Sequence, residues 1–328
     1  MRSLVLTFSL LLFSLPSLAV TLKVGVLAPD GTSWARNLKK LGKEIKKATD
    51  GSVKIKYYFG GAQGDEEDVL RKIRVGQLHG GVFTGKTLGE IYGDFRVLEV
   101  PFNFKGDRQL AKKTLKAMGP YMDKGFKEKG FINLGLSEIG SVYFVSKKPI
   151  TKLDDLKGLK IWAWQGDKLV DAFVKEMKLV AVPLALPDVL SSLSTGVIGA
   201  AYAPPLAIIA LQWNTKVTHL LNLPLTYSFG AFLLGEKGFK KIDKKYQNKV
   251  VEISKKYIRQ INDDNFKDNE QATMGLKLSG IEFTTMQEAD IEVADKLRGQ
   301  LVKKLTGPLF SPEVVKLLEQ SVNTEKTK

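Results

Sequence analysis

The sequence contains no cysteine and only two histidines, His79 and His219. The absence of cysteine excludes a thiol nucleophile, cysteine-ligated zinc, an iron–sulfur cluster and a lipid-modified N-terminal cysteine. Because the two histidines lie far apart in the chain, a multi-histidine metal site is not expected either. We therefore predict that the protein binds no metal ion and no cofactor.

The motifs of common catalytic sites are missing as well. The sequence has no G-x-S-x-G elbow, P-loop, H-E-x-x-H pair or EF-hand loop. The glycines of Gly60–Gly64 do not match the dinucleotide fingerprint, and a turn between a strand and a helix explains them. Since no nucleophile with a paired base is recognisable, we predict a protein that is not an enzyme. An exported α/β enzyme is the less favoured alternative.

The composition is that of a globular protein. The chain has 328 residues, of which 44% are hydrophobic and 26% charged, which excludes collagen-like and disordered classes and allows two domains. The formal net charge is +15, and its lysines alternate with acidic residues, as on solvated helix faces. We therefore predict no nucleic-acid partner, and a cationic scaffold that binds polyanions stays as an alternative.

Residues 1–19 have the features of a secretory signal peptide. Arg2 supplies the positive start, an apolar stretch over 4–18 follows, and residues 17–19 fit the small-residue cleavage rule. The apolar stretch is shorter than the ~20 residues that span a bilayer. We predict cleavage near Ala19 and a soluble periplasmic product.

The mature chain alternates between strand-like and helix-like segments. Strands are predicted at Leu22–Leu27 and Val53–Phe59, with a helix between them that Ser33 caps. Further on, separate strands are predicted at Phe131–Ser137 and Val142–Val145. Such alternation predicts an α/β fold with a mostly parallel sheet.

The second half repeats this alternation and ends in a long helical region, which predicts two lobes joined by hinge strands. Apolar residues at helical spacing indicate the long helix. The predicted boundaries are 20–143 plus about 228–242 for lobe I, 144–227 plus about 280–310 for lobe II, and 243–278 for the connecting helix.

The segment Gly158–Asp167, GLKIWAWQGD, is the most informative part of the sequence. Trp162 and Trp164 lie two positions apart on a predicted strand, so both side chains face one side of the sheet. Open α/β sheets bind ligands beyond the carboxyl ends of their strands, where Gln165 and Asp167 follow. We predict an aromatic wall with a polar rim, as in small-ligand pockets; sheet packing is the alternative role of the tryptophans.

Loops after the other predicted strands, rich in glycine, proline and aromatic residues, complete this predicted pocket. The full set of predicted ligand-binding residues is Trp34, Gly61, Asp65, Thr84, Glu138, Trp162, Trp164, Gln165, Asp167, Tyr202, Pro205 and Tyr227.

The order of these segments resembles the DctP-type solute-binding proteins of tripartite ATP-independent periplasmic (TRAP) transporters. The resemblance covers roughly 22–280 and depends on four stretches, 27–41, 57–81, 146–162 and 194–213. It implies the type II fold of periplasmic binding proteins, with strands that cross between two lobes and a long helix that spans both. It also implies a monomeric or dimeric receptor that delivers its solute to the small and large membrane subunits of a permease.

At one position the sequence departs from this family in a way that bears on the ligand. Most members bind an organic acid through an arginine in the text G-L-K-I-R, and this chain has Trp162 there. An indole offers one N–H where a guanidinium holds a carboxylate at two points. We therefore predict a small organic acid or a more apolar solute, with Lys86 or Arg71 as the substitute cation. A binding protein for an ABC importer or a sensor is the alternative.

Overall fold

The structure, a computed structural model, describes residues 19–286 and 288–323. It has the predicted α/β class, with helices packed on both halves of one large mixed sheet. The predicted signal peptide lies outside the described residues except for Ala19.

Ten strands of the described residues belong to this sheet. They are β1 (Val20–Val26), β2 (Val53–Tyr58), β3 (Gly80–Thr84), β4 (Phe131–Ser146), β5 (Lys160–Trp164), β6 (Val180–Leu184), β7 (Ala200–Ala203), β8 (His219–Leu221), β9 (Thr226–Gly235) and β10 (Glu282–Thr284).

The helices of the described residues vary widely in length, from single turns to the 35 residues of α9. They are α1 (Ser33–Ala48), α2 (Glu66–Arg74), α3 (Gly85–Ile91), α4 (Arg108–Glu128), α5 (Lys168–Met177), α6 (Val189–Thr195), α7 (Pro205–Ala210), α8 (Glu236–Phe239), α9 (Lys244–Leu278), α10 (Glu288–Leu305) and α11 (Pro312–Asn323). Short 3-10 turns occur at Gly93–Glu99, Leu153–Gly158, Leu186–Asp188 and Trp213–Thr215.

The strand order β2-β1-β3-β9-β4-β7-β5-β6 divides the sheet into two halves. In one half β1 pairs in parallel with β2 and β3, and in the other β5 pairs in parallel with β6 and β7. β8 pairs with β4 and β10 and extends the second half. We call the half that contains β1–β3 lobe I and the half that contains β5–β8 and β10 lobe II.

Two long antiparallel strands, β4 and β9, connect the lobes. β4 is continuous over 16 residues, so the prediction of two separate strands in this stretch was wrong. Register shifts next to Gly135 and Gly140 let one strand bend without ending. At Gly140 φ is +127°, a conformation that disfavours side chains, and a Cβ there would lie 2.9 Å from Asn269 Nδ2.

Helix α9 runs across both lobes on one side of these strands. At 1.5 Å per residue, its 35 residues extend for roughly 52 Å. It packs against α1 in lobe I and α7 in lobe II. Its buried side-chain amides Asn262, Asn265 and Asn269 donate to carbonyl groups of β4 between Leu136 and Ile139. These bonds give partners to backbone carbonyl groups of β4 where the pairing of this strand with β9 is irregular.

Helix N-termini bring polar side chains to the gap between the lobes. Asp65 begins α2 and accepts a bond from the Glu66 amide at 2.8 Å, and Asp167 begins α5 as the N-cap residue. In α1 the N-cap is Thr32, whose Oγ1 accepts from the Ala35 amide at 3.2 Å. The prediction that Ser33 caps this helix was therefore wrong by one residue.

Candidate ligand-binding cleft

Two adjoining cavities lie between the lobes, at the carboxyl ends of β1, β3, β5 and β7. Their volumes are about 170 Å³ and 130 Å³. We name them the Trp164 pocket and the Trp34 pocket, each after a tryptophan that lines that pocket and not the other. Thr84, Ile139 and Pro204 line both, so the two pockets form one cleft. This is the place where open α/β sheets bind ligands.

Aromatic rings of lobe II form one wall of the Trp164 pocket. On β5, the ring centroids of Trp162 and Trp164 lie 5.6 Å apart, as expected for neighbours on one strand face. The Trp162 ring stacks on Tyr202 of β7 at 4.8 Å and meets the edge of Trp213 at 5.4 Å. Ring contacts of this kind add to the energy of burial, and they fix the orientation of the wall.

The two indole groups on β5 have different environments. Trp162 is only 2% exposed, and its Nε1 donates to the carbonyl oxygen of Leu184 on β6 at 3.1 Å. Its N–H is therefore satisfied inside lobe II and does not take the place of a guanidinium. Trp164 is half-buried, and its Nε1 donates to Asp65 Oδ2 of lobe I at 3.0 Å. That bond crosses the cleft and joins the lobes.

The guanidinium group at the cleft belongs to Arg96 of lobe I. Its Nη2 donates to both carboxylate oxygens of Asp167 in lobe II, at 2.8 Å and 2.7 Å, and its Nη1 donates to Glu99. Burial alone would lower the pKa of Arg96, but the Asp167 and Glu99 carboxylates outweigh burial and raise it. The result is a second bond between the lobes, in which the cation is already matched by two carboxylates.

The second cation at the cleft is Lys86, on α3. Its buried ammonium group forms ion pairs with Glu67 and, at 2.7 Å, with Glu90. Burial alone would lower the pKa of Lys86, but the two carboxylates outweigh it and raise the pKa. Arg71, the other predicted substitute cation, has a side chain that is 72% exposed, pairs with Asp68 and lines neither pocket.

The Trp34 pocket contains a buried carboxyl group, that of Glu66. Its oxygens accept bonds from the amide of Thr84 at 2.9 Å and from the Thr84 hydroxyl at 3.1 Å. Burial raises the pKa of Glu66 from 4.5 to about 8. In the same pocket, Trp34 Nε1 is buried and has no hydrogen-bond partner within residues 19–286 and 288–323. The pocket therefore combines a free N–H donor with a carboxyl group that is protonated near neutral pH.

Half of the residues predicted from sequence line the cleft in the structure. They are Trp34, Thr84, Trp162, Trp164, Asp167 and Tyr202. Asp65 contacts the cleft through its bond with Trp164. Gly61 lines neither pocket, and a Cβ there would lie 3.8 Å from Leu27 of lobe I and 3.9 Å from Pro187 of lobe II. Gln165 is exposed and lines neither pocket.

Three other predicted residues, Glu138, Pro205 and Tyr227, line a third cavity together with Arg108. There the Tyr227 hydroxyl donates to Glu138 Oε2 at 2.9 Å, and Arg108 Nε donates to the same oxygen at 3.1 Å. Burial, followed by the Glu138 charge, raises the pKa of Tyr227. The buried carboxylate is thus neutralised by its own neighbours, in a network that ties β4 to β9 and α4.

Sequence reasoning missed three residues with ionisable side chains that line the cleft: Arg96, Glu99 and Glu66. The sequence does indicate the first two, because Glu99 interrupts the apolar run VLEVPF and a charge in such a run needs a buried partner. Arg96 directly precedes this run. Glu66 has no such signal. It lies in an acidic helix start, and only packing against β3 makes this one of the four carboxylates buried.

Two further observations limit the chemistry of the described part of the chain. No group of three or more histidine, cysteine, aspartate or glutamate side chains within it is arranged to hold a metal ion. None of its helices combines the length and apolar character that a membrane span requires.

The fold and cleft define a two-lobed solute-binding protein. The chain belongs to the DctP family, bacterial extracellular solute-binding protein family 7, whose model matches residues 24–306. Among relatives, it is 26% identical over 213 residues to the C4-dicarboxylate-binding periplasmic protein DctP of Rhodobacter capsulatus, covering 64% of this chain and 63% of that protein.

Solved structures share the fold at low sequence identity. A TRAP periplasmic solute-binding protein from Desulfovibrio salexigens with bound orotic acid superposes with a TM-score of 0.84 at 19% identity, covering 93% of this chain and 99% of that one. An extracytoplasmic solute receptor of Bordetella pertussis that binds pyroglutamic acid gives 0.85 at 19% identity, covering 93% and 100%. The two-lobed type II architecture expected from the sequence is confirmed.

Proposed function

We propose that this protein is the extracytoplasmic solute receptor of a TRAP transporter and binds a small organic solute between its lobes. The family match over residues 24–306 is the observation that carries the proposal. Related proteins of the same fold hold orotic acid and pyroglutamic acid, and one relative is a C4-dicarboxylate-binding protein. By analogy the solute is a small organic acid or, given Trp162, a more apolar compound.

Binding is proposed to proceed by closure of the lobes around the solute. The bonds Trp164–Asp65 and Arg96–Asp167 form only when the two walls of the cleft meet. β4 and β9 connect the lobes and supply the natural hinge, at the irregular pairing next to Gly140. A solute that contacts both walls stabilises the closed form because it interacts more strongly with that form than with the open one.

The proposed receptor releases its solute unchanged to a membrane permease of one small and one large subunit, and it acts in the periplasm after removal of the signal peptide. The carboxylates at the cleft support binding rather than catalysis. Glu99 and Asp167 are held by Arg96, and Glu67 and Glu90 by Lys86. Glu66 accepts bonds from the amide and hydroxyl of Thr84, so none of the five is placed as a free general base.

The proposal is tested by tryptophan fluorescence and thermal unfolding of the mature chain with a panel of sugar acids, orotate, pyroglutamate and neutral ring compounds. A solute at 100 times its Kd should stabilise the fold by about 2.7 kcal/mol. Trp164→Ala should abolish the response, and Tyr246→Ala, a change on α9 away from the cleft, should preserve it. Mass spectrometry should recover the solute unchanged. Chemical turnover, or no response to any solute, contradicts the proposal.

A further inference from the structure

The cations of the Trp164 pocket are not free to bind an anion. Within residues 19–286 and 288–323, Lys86 and Arg96 are the basic side chains that line it. Each is buried and in contact with two carboxylates, so each cluster contains more acidic than basic groups. Burial raises the pKa of Glu90 and of Glu99, and even so a carboxylate that enters this pocket has to compete for each cation with acidic partners already in contact with it.

Freeing one of these cations for a ligand is costly. In the closed form, a solute carboxylate at Arg96 would displace Asp167 or Glu99, and the displaced carboxylate would stay in the closed cleft without a counter-ion. Removing one partner from a buried ion pair is strongly unfavourable for that reason. Glu99 is fixed further, because Oε1 accepts from the amide of Phe229 at 2.7 Å and from the Ser228 hydroxyl at 3.0 Å.

The polar group left over in the cleft is an uncharged donor. Trp34 Nε1 is buried in the Trp34 pocket without a partner among the described residues, and a buried N–H without an acceptor costs free energy. A neutral oxygen, such as a carbonyl or hydroxyl, would satisfy it. The titratable group of that pocket, Glu66, is protonated near neutral pH because burial raises its pKa to about 8, so it adds no charge that would recruit a cation.

We propose that the cleft selects an uncharged solute, with an apolar or aromatic body against Trp164 and a carbonyl or hydroxyl oxygen at Trp34 Nε1. This inference rests on the proposed receptor function and narrows its ligand class to compounds without a carboxylate. Because the two pockets are continuous, one molecule can lie against both Trp164 and Trp34, and the bond to Trp34 Nε1 forms once the ring turns its buried N–H toward the solute.

The test compares amides with carboxylates of the same shape. The probes are benzamide against benzoate and indole-3-acetamide against indole-3-acetate, titrated at pH 7.5 by isothermal titration calorimetry. The amide of each pair should bind at least tenfold more tightly than its carboxylate. Trp34→Phe keeps an aromatic ring but removes the N–H, and it should weaken amide binding about fivefold to tenfold.

A second arm tests whether the ion pairs exclude carboxylates. Asp167→Asn keeps the N-cap of α5 but removes one of the two charges on Arg96, and it should improve benzoate binding at least tenfold. Glu99→Gln should act in the same direction, and it serves as the second variant if the first unfolds. The control is Asp155→Asn, which changes a half-buried aspartate bonded to Thr151 in lobe II, outside both pockets, and should have no effect on binding.

Two results would overturn the inference. One is equal or tighter binding of the carboxylates by the wild-type protein, which leaves the receptor function standing and restores the acid class. The other is a failure of both Arg96-freeing variants, shown to be folded by circular dichroism, to gain affinity for benzoate. If neither these pairs nor the wider solute panel gives a response, the receptor function fails together with the inference.

Discussion

The two walls of the cleft are built from different chemistry. The lobe I wall carries the titratable residues Glu66, Lys86, Arg96 and Glu99, and the lobe II wall is mainly aromatic and aliphatic. The charged groups of lobe I are engaged with one another or with Asp167, the charged residue that lobe II contributes to the Trp164 pocket.

This difference shows that charge near a binding cleft is not the same as charge offered to a ligand. The cations of lobe I hold the fold and the closed lobes together, whereas the rings of lobe II leave faces toward the cavity. A substitution in the lobe II wall should therefore change stability mainly through the apolar surface that it removes from the core. A substitution in the lobe I wall should change stability mainly through the ionisation of buried groups.

The largest effect is expected within the aromatic wall itself. Trp162→Ala removes a ring that is 2% exposed, together with its bond to Leu184, and should lower the free energy of unfolding by about 3–5 kcal/mol. Trp164→Ala, on the same strand face but half-buried, should cost clearly less. Urea denaturation of both variants measures the difference. Equal losses would mean that Trp162 is not the packing residue its burial indicates.

The next largest effect concerns the lobe I wall, where the ionisation of Glu66 makes stability depend on pH. The pKa of Glu66 is about 8 in the folded protein, above its ordinary value of 4.5, so folding takes up a proton between these pH values. The stabilising contribution is complete below pH 4.5 and is lost as pH rises through about 8. The loss should amount to roughly 3–5 kcal/mol.

Glu66→Gln keeps the shape of the side chain and removes the titration. We expect this variant to lose less stability than the wild-type protein between pH 5 and pH 9, as measured by chemical denaturation at each pH. The matched control is Glu252→Gln, an exposed glutamate on α9, which should retain the wild-type pH profile. Parallel profiles for the wild type and Glu66→Gln would refute a raised pKa at this position.

The sequence predicted the local features of the fold and few of the long-range ones. Alternating apolar segments predicted the α/β class, and the helical spacing over 243–278 predicted the helix found at Lys244–Leu278. The prediction of two separate strands missed the register shift of β4 next to Gly140, although an isolated glycine inside a strand pattern indicates a bulge. In this strand, α9 supplies amide donors that keep the chain paired through the bend.

In the cleft, too, contacts between residues close in sequence were predictable and contacts between distant residues were not. Trp162 and Trp164 were predictable neighbours, because strand geometry alone places residues two apart on one face. The pair Arg96–Asp167 joins residues 71 positions apart, and no local pattern indicates that partnership. Each cation at the cleft has one partner close in sequence, Glu90 for Lys86 and Glu99 for Arg96, and one partner that only the tertiary fold supplies. Of the two substitute cations predicted from sequence, Lys86 lies at the cleft and is already paired, and Arg71 lies outside it.

The smallest effect concerns the bond that joins the unlike walls, Trp164 Nε1 to Asp65. Trp164→Phe retains an aromatic ring and removes the donor, and it should lower the free energy of unfolding by about 1 kcal/mol. Asp65→Ala should cost more, because Asp65 also caps α2. If the bond is the link between these residues, the double variant should lose less than the two single losses combined, by about 0.5–1.5 kcal/mol. Additive losses would mean that the two lobes close without it.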